Sequence, residues 1–207
     1  MIGLESDIKS TFVCFEDNPV LRKDGKEYVL EGKLYCCVKG YEELYDVFNV
    51  VIVVPFNFPN LLPTVFEKDG KIPRNVDCHM NKEGQCCFGT NIVLFDYMHR
   101  KNILSFRQFL EQIIIVHFFQ VKHFLVKGQW PQKPEEHFTR GLIDSYKRIF
   151  NITDNDLRKI LSGKFKRYNK CLCKSNRRFD KCHGKYIPVE QIQQDFKTII
   201  AYLQIRR

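Results

Sequence analysis

The sequence predicts an α+β fold: an antiparallel sheet with flanking helices, followed by a basic C-terminal helical region. Three observations predict it. Short β-branched and aromatic runs occupy the first half, a helical-period stretch follows Ser105, and all the excess positive charge lies in the last third.

The elements follow in order along the chain. The first twenty residues predict a helix ending before Pro19, and Glu27 to Lys39 alternates, with Tyr28, Leu30, Leu34, Cys36 and Val38 on one face. Leu44 to Pro55 holds the run Val47, Phe48, Val50 to Val54, which predicts a strand buried on both faces. A Pro-punctuated connection, Phe56 to Pro63, leads to a short strand at Thr64 to Glu67 and a turn at Asp69-Gly70. From Arg74 to Thr90 the chain reads as a polar, Cys-containing loop. Ser105 and Gln108 form a capping box, and Phe106, Phe109, Leu110, Ile113, Ile114, His117 and Phe118 follow at helical spacing. Helices are expected over 135–150, over 154–163 after a Thr153/Asp154 cap, and over 188–205 opened by Pro188.

Composition sets the frame. The 207 residues are 44% hydrophobic and 14% aromatic, which supports a buried core and excludes a disordered chain. Residues 131–207 carry 18 Lys+Arg against 8 Asp+Glu, leaving 15 against 16 in residues 1–130. The break at Trp130 to Pro134 predicts two domains, 1–130 and 131–207. The apolar runs are too short and interrupted for a membrane span, and the acidic N-terminus lacks the pattern of a signal peptide, so a cytoplasmic location is expected.

Nine cysteines, an odd number with adjacent pairs at Cys36/Cys37 and Cys86/Cys87, argue against a disulfide framework. They leave buried thiols, metal ligands and nucleophiles as the readings. Cys14, Cys36 and Cys37 fall in expected helix or strand and read as small core residues; Cys78 reads as a loop-stabilising thiol. His117 and His123, among Phe and Ile, read as core or boundary histidines.

The segment Cys78-His79-Met80-Asn81-Lys82-Glu83-Gly84-Gln85-Cys86-Cys87-Phe88-Gly89 has the character of a reactive loop. A thiol nucleophile needs exposure, and backbone amides or an Asn or His side chain can stabilise an oxyanion on an attacked thioester. A buried cysteine pair in an ordinary loop is the alternative. Upstream, Phe58-Pro59-Asn60-Leu61-Leu62-Pro63-Thr64-Val65 resembles the Tyr-Pro-Phe-x-Pro-Pro-x-Val element of the ubiquitin-conjugating enzyme (UBC-fold) family. Gly84-Gln85-Cys86-Cys87-Phe88 resembles that family's Gly-x-(Ile/Val)-Cys-Leu segment, which puts Cys87 on the catalytic position. His79-Met80-Asn81 resembles His-Pro-Asn in a loop two residues shorter, which implies roles for His79 and Asn81 beside the thiol. The family's tryptophan soon after the cysteine is missing, the single Trp being Trp130.

The resemblance spans roughly residues 5–130 and is nearest to divergent bacterial members found in antiphage and ubiquitin-like operons. It implies a UBC-like sheet and transthioesterification. Cys87 would accept the C-terminus of a ubiquitin-like protein, or of a cGAS-like cyclic-nucleotide synthase, from an activating enzyme, and an amine would then attack the thioester. A non-catalytic adaptor with the same fold is the rival reading.

Cys171-x-Cys173-x8-Cys182-His183 resembles the SEC-C zinc motif, with Ser175, Arg177, Arg178, Phe179, Lys181 and Gly184 where that motif has small, basic and aromatic residues. Lys174 and Asn176 stand where it has glycines. Three Cys and one His give zinc a closed tetrahedral set with no position for water, which predicts a structural site. Eleven cations and one acid, Asp180, fall within 158–185. This basic region predicts docking to a protein or mixed partner in preference to nucleic acid, and a basic zinc module that binds nucleic acid is the second rival reading.

Overall fold

The computed structural model describes residues 3–132, 138–161 and 163–205; the side chain of Ile205 lies outside this description. The expected helix start at 135 and the Lys133-Pro134 end of the composition break lie outside the described residues. In chain order the elements are α1 (Leu4–Lys9), β1 (Val20–Asp24), β2 (Glu27–Cys36), β3 (Asp46–Pro55), β4 (Thr64–Glu67), α2 (Asn91–Lys101), α3 (Phe106–Phe109), α4 (Ile115–Lys127), α5 (Phe138–Phe150), α6 (Asp154–Leu161) and α7 (Val189–Ile205). The fold mixes helices with one four-stranded antiparallel sheet ordered β1-β2-β3-β4. Contacts divide the chain into two units, 1–88 with 103–134, and 89–102 with 135–207.

In the first unit, β2 and β3 pair along their full lengths, with Leu34 opposite Phe48 and Leu30 opposite Ile52. Phe48, Val50, Ile52 and Val54 are buried, whereas Val47, Val51 and Val53 are half-buried. β3 is thus a one-faced strand, not the doubly buried one expected, because its second face meets only partial cover. The strand β1 was not expected. Its sequence, Val20 to Asp24, carries no apolar alternation, and it is held by backbone pairing to β2 across the Asp24-Gly25 turn. The N-terminal helix is shorter than expected and gives way to a single 3₁₀ turn, Phe12–Cys14.

Ser105 and Gln108 close the expected capping box at the start of α3, and Asp7 of α1 adds its carboxylate to the Phe106 N–H at 2.5 Å. A π-helical turn, Leu110–Ile114, joins α3 to α4. The continuous helix Phe106–Lys127 is long and apolar enough to cross a membrane by length and composition. Its apolar face is spent inside the unit: Phe106, Phe109, Leu110, Ile114, Phe118 and Val121 are buried, and Phe118 stacks on Phe48 at 4.6 Å. That is the pattern of a core helix.

The second unit packs α2, α5 and α7 together. α2 had no counterpart in the expected elements. Its apolar residues Ile92, Leu94, Phe95 and Met98 are buried, and its last turn carries His99, Arg100 and Lys101 before Asn102 in the left-handed conformation. Pro188 opens α7 as expected, and Thr153 caps α6 in a box closed by Asp156 rather than Asp154.

A polar chain runs through this unit from exposed Asn91 to buried Tyr146 and Asp195. Tyr146 donates to Asp195 Oδ2 at 3.0 Å, Gln191 donates to Asp195 Oδ1 at 2.7 Å, and Asn91 donates to Gln191 at 3.0 Å. Burial raises the Asp195 carboxyl to about 6, against the two hydrogen bonds that favour its ionised form. A raised acid favours the fold when protonated. Its contribution is full below the ordinary carboxylate range and is lost as pH rises through about 6. Asp195→Asn should therefore raise the stability of this unit near pH 7, by on the order of 2 kcal/mol, with no gain near pH 4. Thermal unfolding of both proteins across that range checks it; equal gains at both pH values would refute it.

Candidate functional site

Two groups of residues stand out, one in each unit. In the first unit, the free edge of β4 takes up the loop that carries Cys86 and Cys87. Glu67 donates its N–H to the Gly84 carbonyl and Cys86 donates to the Val65 carbonyl, both at 2.8 Å. This strand-like pairing alternates the side chains, so Cys86 is buried and Cys87 is exposed. Burial drives the Cys86 thiol far above the ordinary thiol range, with the nearby Glu67 carboxylate adding to it, so Cys86 stays protonated.

The loop is fixed from within. Glu67, fully buried, accepts the backbone N–H groups of Asp69, Gly70 and Lys71 at 2.9, 2.9 and 3.2 Å. The Arg74 guanidinium lies against Gly84, where an added Cβ would meet Arg74 Nη1 at 1.7 Å and the Glu67 carbonyl at 2.6 Å. Gly84 also sits at φ +84°, so glycine is required there twice over. Asn81 accepts the N–H groups of Glu83 and Gln85 on its Oδ1 at 3.0 and 2.8 Å. Its Nδ2 donates to Gln85 Oε1 at 3.3 Å. The His79 carbonyl accepts the Cys87 N–H at 2.8 Å.

The structure thus brings His79 and Cys87 together through the backbone, and it turns the Asn81 amide into its own loop. The sequence does not indicate what holds His79. Its backbone is left-handed (φ +50°), and its ring meets Trp130 edge-on at 5.0 Å and His117 at 6.5 Å. Trp130 in turn stacks on Phe124 at 4.9 Å. His117 is buried against Phe88 at 4.8 Å, with no partner for Nε2 among the described residues. Burial, then His79, push its pKa down to about 3, so it is neutral. Cys78 and Cys36 are buried thiols, while Cys37, expected in the core, lies past the end of β2 and is exposed.

In the second unit, one ligand atom from each of Cys171, Cys173, Cys182 and His183 lies within 4.8 Å of the others, so the cluster could hold a metal ion. Cys171 Sγ is 3.3 Å from His183 Nδ1, Cys182 Sγ is 3.4 Å from the same nitrogen, and Cys173 Sγ is 3.6 Å from Cys182 Sγ. Two short segments supply the ligands. Lys170 and Arg178 pair across a narrow hairpin, and Cys171 N–H reaches the Arg177 carbonyl at 2.8 Å. Lys174 and Asn176, the two positions where the motif has glycines, have φ of +59° and +58°. Both residues thus take the left-handed conformation that glycine adopts most readily.

Lys174 has a second role, since its Nζ meets Asp156 at 2.6 Å, the residue that closes the α6 capping box. Arg177 donates to Cys182 Sγ at 3.4 Å, and Ser175 lies 3.2 Å from Cys173 Sγ. Burial pushes the Cys173 thiol up, but hydrogen bonds with Ser175, Cys171 and Cys182 together outweigh it and hold the thiol below its ordinary value. Burial pushes Cys171 up to about 12. The cluster is backed by Phe179, which is buried against Phe165 at 5.1 Å, and by Phe150, whose ring is 4.8 Å from His183.

Because Cys171 is held protonated, a metal must displace its proton on binding. Metal affinity should therefore fall steeply as pH drops, measured by release to a chromogenic chelator between pH 8 and 5. Gly184 abuts Phe179, where an added Cβ would meet the ring at 2.6 Å and the carbonyl at 2.7 Å. Gly184→Ala should displace the Cys182-His183 pair and cut metal content well below that of the parent, whereas Asn176→Gly should keep it. Elemental analysis of both variants decides. Comparison with family models, with curated proteins and with solved structures finds no match to this chain.

Proposed function

We propose that this chain is a cysteine-dependent conjugating enzyme of the UBC-like type with a structural zinc centre of the SEC-C kind. The observation that carries the reading is the exposed Cys87 thiol on a loop fixed to the edge of β4, next to a buried Cys86. The thiolate of Cys87 attacks the activated C-terminal carbonyl of a ubiquitin-like protein, or of a cyclic-nucleotide synthase, and the activating enzyme's thiolate leaves. An amine then adds to the new thioester, gives up a proton to a base, and expels the Cys87 thiolate. The amide nitrogen of Asn81 carries two hydrogens, one of which goes to Gln85. The other is the donor available to an oxyanion. A cytoplasmic setting and a bacterial antiphage or ubiquitin-like pathway go with this reading.

Zinc fits the second cluster. Tetrahedral Zn–S and Zn–N bonds place sulfurs about 3.8 Å apart and sulfur and nitrogen about 3.6 Å apart. The observed separations of 3.6 Å and of 3.3 and 3.4 Å are close to both. Four protein ligands leave no site for a reacting water. The adaptor reading has one observation in its favour, the engagement of Asn81 within its own turn.

Incubation with a ubiquitin-like protein and its activating enzyme should give an adduct cleaved by reducing agent. It should be lost in Cys87→Ser and kept in Cys86→Ala, which costs about 1 kcal/mol of stability. Loss in Cys86→Ala with retention in Cys87→Ala would overturn the assignment. Asn81→Asp keeps an oxygen for the Glu83 and Gln85 N–H groups but removes the donor. In single-turnover discharge it should be slower by about 10²–10³-fold, and His79→Ala should also slow this step. Parent-like discharge would confine both residues to holding the loop.

A further inference from the structure

Two arginines of the basic second unit lie over one exposed aromatic side chain. Tyr168 is 61% exposed, although it follows the buried Phe165 by only three residues. The guanidinium groups of Arg167 and Arg178 lie over its ring, at 5.2 and 4.7 Å from the centroid. Arg178 is anchored by a two-point pair to Asp180, at 3.1 and 2.7 Å. The ring and the two guanidinium groups thus form a fixed, cationic π-surface that faces solvent.

Lys164 and Lys166 precede Tyr168 closely in the chain and Lys181 follows the Asp180 that anchors Arg178; these lysines, Lys185 and Arg167 are exposed and have no ion pair among the described residues. The tie of this surface to the metal-ligand hairpin is direct. Lys170 pairs with Arg178, the Asn169 carbonyl accepts the Phe179 N–H at 2.8 Å, and the Arg167 carbonyl accepts the Asp180 N–H at 3.1 Å. The platform is therefore built on the frame that also holds Cys171 and Cys182.

We propose that this face binds single-stranded nucleic acid, with Tyr168 and its arginines stacking an unpaired base and the exposed lysines following the phosphates. An acidic protein would use the charges but has no need of an exposed aromatic ring capped by guanidinium groups. A duplex hides its base faces and is read by an element that enters a groove, whereas these cations sit on short turns. The stacking surface and the flanking charge together match a single strand. The inference is independent of the chemistry at Cys87.

Fluorescence anisotropy of the full chain with labelled (dT)20 and (rU)20 tests it, with a 20-base-pair duplex and polyglutamate as competitors. Saturable binding of at least one single strand is expected, weakening with salt at a log–log slope of roughly −3, since about 0.7 counterion is released per phosphate contacted. Tyr168→Ala should weaken it about tenfold with the slope unchanged, and Tyr168→Phe should keep it. Lys164→Gln with Lys166→Gln should flatten the slope by about 1.4. Preference between (dT)20 and (rU)20 identifies the strand as DNA or RNA. Tyr168 is exposed, so metal content and far-UV spectrum should match the parent in every variant at that position. The proposal falls if no single strand binds at 50 mM salt, if Tyr168→Ala binds like the parent, or if polyglutamate or duplex competes as well as the single strand.

Discussion

The free edge of β4 determines which of two adjacent thiols meets solvent. Two backbone hydrogen bonds, Glu67 to Gly84 and Cys86 to Val65, extend the sheet by a few residues beyond its last strand. Side chains on such a segment alternate, so one sulfur of the pair points inward and the other outward. The remaining loop contacts serve this pairing. Glu67 gathers the three N–H groups of the turn that follows β4, Arg74 fills the space that Gly84 leaves empty, and Asn81 closes the turn that returns the chain to the edge. A reactive cysteine in this position owes its exposure to backbone geometry rather than to its neighbours in sequence.

The parts of the fold that could be read from sequence are those with strong local signals. β2 alternates apolar and polar residues, β3 and β4 carry β-branched residues, the Ser105–Gln108 box marks a helix start, and the Cys171, Cys173, Cys182, His183 spacing marks a possible ligand set. β1 was hidden because an exposed edge strand has no apolar alternation to show. α2 does carry a helical spacing, Ile92, Phe95 and Met98 being three residues apart, but the stretch covers only about two turns beside a polar loop. In the cysteine loop the residue types were legible but their contacts were not. Trp130, forty-three residues after Cys87 in sequence, packs against His79, and no local pattern could indicate a pairing made by the return of a long helix.

The hairpin that carries Cys171 and Cys173 shows how a turn can hold left-handed residues that are not glycine. Asn tolerates the left-handed region, because its short amide bonds locally, and Asn176 accepts from Lys170 at 3.3 Å. Lys174 has no such local bond, and its left-handed backbone costs roughly 1–2 kcal/mol. What it gains is the Asp156 contact, which ties the hairpin to the N-terminal cap of α6. Both partners are exposed, so the gain is modest. The exchange favours a defined attachment of the ligand hairpin over a relaxed backbone.

The division of the chain has a consequence for how the protein can be taken apart. Because 89–102 belong with 135–207, the backbone passes from one unit to the other three times. A fragment ending near residue 130 would retain α2 without α5 and α7, leaving Ile92, Leu94, Phe95 and Met98 without the cover they have in the whole chain. Neither unit is a segment that one proteolytic cut or one stop codon could remove intact. Gene fusion by simple end-to-end joining would not produce such an arrangement either. The two units are one heritable piece, and shortening the C-terminus would be felt within the residues that directly follow Cys87.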